Sequence, residues 1–130
     1  MNHRTPSGAG GFTLLEVLIT LLLLAIGILG VGGLAITTVQ GNARGNQLTT
    51  ATILAQDKVE QARTAGYAGA GALAGTEGYG AVAGNPAYKR VVSVADATPG
   101  TWMKTVTVTV SWDGDAHGVT LSTIVAREFT

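Results

Sequence analysis

The chain has 130 residues, enough for one small domain, with eight basic and eight acidic side chains and a formal net charge of zero. It has no cysteine, which excludes a disulfide framework, a thiolate zinc site and a cysteine nucleophile. Hydrophobic residues make up 46% but aromatics only 5%, so the apolar character sits in one segment rather than a large core, and the scattered basic residues argue against an electrostatically driven nucleic-acid binder.

The first eleven residues are polar or small, with Arg4 supplying a positive charge. Residues 17–39 then run for 23 positions without a charge. At ~1.5 Å per residue, a helix of that length covers ~35 Å, enough for a ~30 Å hydrocarbon core. Thr20, Thr37 and Thr38 are the only hydroxyls in it. Glu16 stands at its start. An acid at mid-helix costs ~2.5–3.5 kcal/mol in lipid, less near an end, and so points to a partner. A cleaved secretory signal is one alternative, with Gly33-Leu34-Ala35 as a small-x-small cleavage site. An ordinary signal core is about 7–15 residues long and carries no acid. A plain single-pass anchor explains the length and leaves Glu16 unexplained.

Gly11-Phe12-Thr13-Leu14-Leu15-Glu16 resembles the processing motif of the type IV pilin and pseudopilin family. The resemblance implies a prepilin peptidase that removes a leader, residues 1–11, by cutting between Gly11 and Phe12, and that methylates the new amine of Phe12. Glu16 is then the fifth residue of the mature chain. In a helix it lies ~6 Å along the axis from that cationic amine. A staggered neighbour can bring its own terminal amine to the same carboxylate, and the pair offsets the desolvation that either charge suffers alone. Glu16 thus reads as an assembly residue.

Gly27, Gly30, Gly32 and Gly33 interrupt the apolar run. In water each glycine costs a helix ~1 kcal/mol relative to alanine, whereas lipid tolerates them better. They read either as close-packing positions or as a soft segment giving the helix flexibility. Residues 12–40 form the transmembrane and assembly half of the helix and residues 41–64 its second half. The sequence leaves open a break at Gly41 or Gly45. Beyond it, Leu48, Ala51, Thr52, Ala55, Val59 and Ala62 recur at helical spacing as a small-residue stripe that suits a covering sheet. Glu60 and Arg63 are i, i+3 neighbours. A helix running from residue 12 to about residue 63 would be ~78 Å long.

Residues 65–87 are rich in Gly and Ala and read as a connecting loop, with a short turn or strand around residues 78–82. Residues 105–112 alternate, valines and Trp112 on one face and hydroxyls on the other, as in a half-buried antiparallel strand. Residues 88–95 and 119–126 flank it as strands, with Val92, Val94, Val119, Leu121 and Val125 toward the inside. Pro99-Gly100 and Asp113-Gly114 mark the turns. The expected fold is α+β: a long amino-terminal helix, its first half transmembrane, with an antiparallel sheet of three or four strands from residues 88–130 packed on its second half.

No catalytic set is legible. His3 lies in the leader and His117 has no placed partner for a triad. Asp113, Asp115 and His117 alternate in a glycine-flanked turn, which reads as a solvated hairpin loop rather than a metal centre. Gly69-x-Gly71 opens no helix after a strand, so it is no dinucleotide loop. Lys89, Arg90 and Lys104 near Tyr88 and Trp102 could form a small basic and aromatic face for DNA. Residues 46–130 carry six basic and seven acidic side chains, a net of −1, which weighs against that.

Ala55-Gln56-Asp57-Lys58-Val59-Glu60 near the helix end and the strand pair over residues 104–126 look similar to the heads of PilV-type minor pilins, which the chain most resembles within the family. This resemblance implies a structural subunit rather than an enzyme, with no cofactor and no metal. It sits in the inner membrane as a single pass, with its amino terminus cytoplasmic and its carboxy-terminal part periplasmic, and then enters a cell-surface pilus (fimbrium). Its partners would be other pilins, prepilin peptidase, the inner-membrane pilus assembly machinery, and membrane lipid before assembly. A type II secretion pseudopilin is the alternative within the family. A membrane-tethered module that binds a ligand or DNA is the alternative outside it.

Overall fold

The computed structural model describes residues 10–128. All of the expected leader except Gly10 and Gly11 lies outside these residues. The elements are a helix α1 (Leu14–Gly69), a short 3₁₀ helix (Ala70–Leu73) and four strands: β1 (Gly75–Glu77), β2 (Tyr88–Asp96), β3 (Met103–Trp112) and β4 (His117–Ala126). The architecture is α+β and pilin-like. The chain divides between Asn42 and Ala43 into two compact units.

In the amino-terminal unit, α1 contains no proline, and the run from Leu14 has the length and hydropathy to cross a membrane. Its leucines and isoleucines are exposed all round, as expected of a helix whose solvent is lipid or other helices. Thr20, Thr37 and Thr38 each donate their hydroxyl to the carbonyl four residues earlier, on Glu16, Gly33 and Leu34, at 2.8–3.1 Å. These bonds satisfy the run's three hydroxyls without water. The backbone is helical through Gly41 and Gly45, so neither glycine breaks it.

In the carboxy-terminal unit, the stripe of α1 packs on one face of the sheet. Ala51, Ala55, Val59 and Ala62 are buried against Val92, Val106, Val108, Val110, Trp112 and Val125. Alanine at three of these four helix positions lets the sheet approach closely. Val106, Val108 and Val110 are fully buried, each contributing about 1.5–3 kcal/mol of apolar burial. Leu48, at the same spacing, remains half exposed beside Trp112 and His117. The helix proper is interrupted at Gly66, whose φ of 68° lies in the left-handed region where glycine carries no side-chain penalty.

The sheet is an antiparallel meander in the order β1-β2-β3-β4. Val92 faces Val108, which faces Leu121. The Gly/Ala-rich segment contributes an edge strand just ahead of the turn expected around residues 78–82. Gly75–Glu77 pairs with Val92, Val91 and Arg90, while residues 79–84 form turns. There Gly80 donates to the Pro86 carbonyl at 2.9 Å and Ala81 to that of Gly78 at 3.0 Å. Short strands made of glycine and threonine carry almost no periodicity, which is why β1 shows only in its pairing.

Candidate processing and assembly site

Gly10, Gly11 and Phe12 are non-helical and exposed, Phe12 at 83%. The helix begins immediately after Thr13. Thr13 Oγ1 accepts the Glu16 N–H at 3.2 Å, and its carbonyl accepts the Val17 N–H at 3.2 Å. Thr13 is therefore the N-cap, and Glu16 occupies the third helical position. The Thr-x-x-Glu spacing is that of a capping box. The sequence reading weighed Glu16 only by its charge in lipid and missed this local signal. Only half of the box is formed. Among the described residues, the Glu16 carboxylate has no hydrogen-bond or ion-pair partner.

The Gly11–Phe12 peptide thus lies in open backbone two residues before the cap, and the acid lies in the first turn. A side chain added at Gly11 would meet nothing within 4 Å. Nothing in this chain's own packing therefore demands glycine there. The same holds at Gly27, Gly30, Gly32 and Gly33, which sit in continuous helix with open space around them. The amino-terminal positive end of the helix dipole favours a carboxylate at Glu16 but leaves its lone pairs free for a donor from outside the chain.

The charged residues of the carboxy-terminal unit are largely paired. Lys89, Arg90 and Lys104 do not form one basic face, because neighbouring strand residues point to opposite sides. Arg90 is buried on the helix side, where it bonds Glu77, the Leu54 carbonyl at 3.1 Å and Asp57 at 3.4 Å. Its guanidinium, bonded to Glu77, holds that carboxyl below the usual carboxylate range, with burial acting the other way. Lys104 pairs with Asp96 at 3.1 Å and lies over the Tyr67 ring. Lys89 points to the opposite face and pairs with Asp115, which also accepts the Tyr79 hydroxyl at 2.9 Å. The hydrogen bond between them raises the Lys89 pKa and lowers that of Asp115.

Asp113, Asp115 and His117 do not converge. Asp115 turns to Lys89 and Tyr79, while His117 stacks on Trp112 and stands 3.9 Å from Asp113. Among the described residues no group of three metal-ligating side chains comes together.

Residues 6–32 match the model of the prokaryotic N-terminal methylation motif. No curated protein and no solved structure matches the chain. The motif covers Gly11, Phe12, Glu16 and the first part of the apolar helix. It supports a type IV pilin-like reading, pilin or pseudopilin, for the amino-terminal part of the chain, whose apolar helix is long enough to cross a membrane.

Proposed function

We propose that this protein is a minor type IV pilin of the PilV type. It is cut by prepilin peptidase between Gly11 and Phe12, methylated on the Phe12 amine, and incorporated into a pilus, where it aids assembly, adhesion or motility. The observation that carries this reading is the methylation motif over residues 6–32, with its scissile bond in open backbone and its acid in the first helical turn. Before assembly the helix crosses the inner membrane with the carboxy-terminal unit in the periplasm. In the filament, Glu16 receives the terminal amine of a neighbouring subunit, and the exposed apolar helix exchanges lipid for other pilin helices. The glycines at 27, 30, 32 and 33 allow the helix to adjust during that transfer.

A type II secretion pseudopilin shares the motif and the fold, so it remains the second reading. Recovery of the chain in surface filaments sheared from cells supports the pilus reading. Retention in the envelope of piliated cells transfers the assignment to the secretion system.

A further inference from the structure

Arg44 continues the buried stripe of α1 by one turn toward the apolar run. Positions 44, 48, 51 and 55 share one helix face, and Ala51 and Ala55 on it are buried under the sheet. Where the stripe meets the end of the sheet, Trp112 pairs with His117 and Ser111 with Gly118. A cleft of about 270 Å³ lies there. Arg44, Gln47 and Leu48 form its helix side, and Trp112, His117 and Gly118 its sheet side.

Three side-chain donors of this cleft are unused. Among the described residues, Arg44 has no ion-pair or hydrogen-bond partner. Every other lysine and arginine among them is engaged: Lys58 and Arg90 with Glu77, Arg63 with Glu60, Lys89 with Asp115, Lys104 with Asp96, and Arg127 on the Trp102 ring. Trp112 is only 8% exposed, yet its indole N–H makes no hydrogen bond among the described residues. No buried polar side-chain atom among them is left unsatisfied, so that N–H reaches the surface. The Gln47 amide is likewise unpartnered, while its main-chain carbonyl accepts the Tyr88 hydroxyl at 3.3 Å. No carboxylate lines the cleft, and Asp113 stands 3.9 Å from His117 Nε2 without entering its wall.

We propose that this cleft seats the headgroup of an anionic phospholipid, with the Arg44 guanidinium on the phosphate. The inference rests on the membrane anchoring proposed above. The charge-free run ends at residue 39, and Arg44 follows five residues later in continuous helix. At helical rise that adds ~7.5 Å, close to the ~5–7 Å depth of a headgroup layer, into which a long arginine stem reaches back. The planar guanidinium fits phosphate oxygens through paired N–H donors, and the Trp112 indole and Gln47 amide add uncharged donors beside it. Leu48, 51% exposed, offers an apolar edge to the glycerol and first acyl carbons. An arginine at any lipid edge meets headgroups, but the unused indole and amide around this one make a site of it. A zwitterionic headgroup brings a cation for which the wall holds no carboxylate, so the anionic lipid is preferred. The headgroup thereby seats the carboxy-terminal unit at the membrane surface before assembly.

The test is a titration of the full chain, in micelles of a nonionic detergent, with short-chain phosphatidylglycerol. It is read on the indole N–H resonances of the two tryptophans. The Trp112 signal should shift and saturate, whereas Trp102, beside the opposite end of β3, should stay in place. Short-chain phosphatidylcholine, and glycerol phosphate as a soluble phosphate, should each need about tenfold higher concentration or more for the same shift. Arg44→Gln should weaken the phosphatidylglycerol response about tenfold or more, through loss of a charge-assisted donor. Arg63→Gln removes the same charge ~5 turns further along the helix and should titrate as the parent does. Circular dichroism melts confirm that each variant is folded. A stationary Trp112 signal overturns the proposal. So does an equal response to phosphatidylcholine or glycerol phosphate, or an undiminished response in folded Arg44→Gln. Flotation with phosphatidylcholine vesicles tests the anchoring separately. A chain that floats while its Trp112 signal ignores phosphatidylglycerol keeps the anchor and loses the cleft. A chain that does not float loses the anchor and, with it, the inference.

Discussion

Thr13 Oγ1 holds the backbone N–H of Glu16 at 3.2 Å, so the last of the non-helical residues 10–13 also starts the helix. Glu16 is tied down through its main chain while its carboxylate stays free. This division gives Thr13 the folding role and leaves the Glu16 side chain available for the assembly role proposed for it.

Thr13→Ala should therefore loosen the first turn by about 0.5–2 kcal/mol, the ordinary worth of an N-cap hydroxyl. Hydrogen exchange on the full chain in micelles should show faster exchange at the Glu16 and Val17 amides and no change beyond the second turn. Unchanged protection at Glu16 would mean that the hydroxyl caps nothing.

Glu16→Ala should leave peptidase cleavage and membrane insertion intact and abolish incorporation into filaments. Glu16→Gln keeps the hydrogen-bonding shape and removes the charge, so it should fail as well. Normal incorporation of both variants would show that the carboxylate is not an assembly device, and would favour a tethered binding module.

The four glycines of the apolar run have no packing reason to be glycine within a single chain. Replacing Gly27, Gly30, Gly32 and Gly33 together by alanine should raise helix stability in micelles, by up to ~1 kcal/mol per position in water and less in lipid. If the segment must bend during transfer, the same variant should enter filaments poorly. Equal incorporation would remove the flexibility argument.

Arg90 joins the helix, through Leu54 and Asp57, to Glu77 of the edge strand, and its side chain is only 8% exposed. Arg90→Met should cost about 2–4 kcal/mol, because the Leu54 carbonyl and two carboxylates lose their shared donor. The folded-state pKa of Glu77 is depressed, so the stability it contributes is present above its unfolded value near 4.5 and is lost as pH falls through the lower folded value. The gap between parent and variant in urea melts should accordingly shrink below about pH 4.5. A gap independent of pH would separate Arg90 from Glu77.

Much of this was legible in the sequence because the signals were periodic. The alternation of residues 105–112 fixed β3 and its buried valines, and the alanine stripe fixed which helix face meets it. Non-periodic features escaped. Strand β1 is made by pairing, not by its own three residues. Gly66 is one glycine among many until its φ is known. Arg90 was grouped with Lys89 as surface charge, although strand parity places it with Tyr88 and Val92 on the inside. The Thr13-x-x-Glu16 spacing of a capping box is present in the sequence, where it coincides with an acid at the edge of a lipid-length apolar run.

The central claim is that the mature chain begins at Phe12, and intact mass measurement of protein purified from cells that possess the peptidase tests it most directly. The account predicts a chain lacking residues 1–11 and carrying one methyl group on the Phe12 amine. A mass that retains Met1, or one that begins after Ala35, would contradict it.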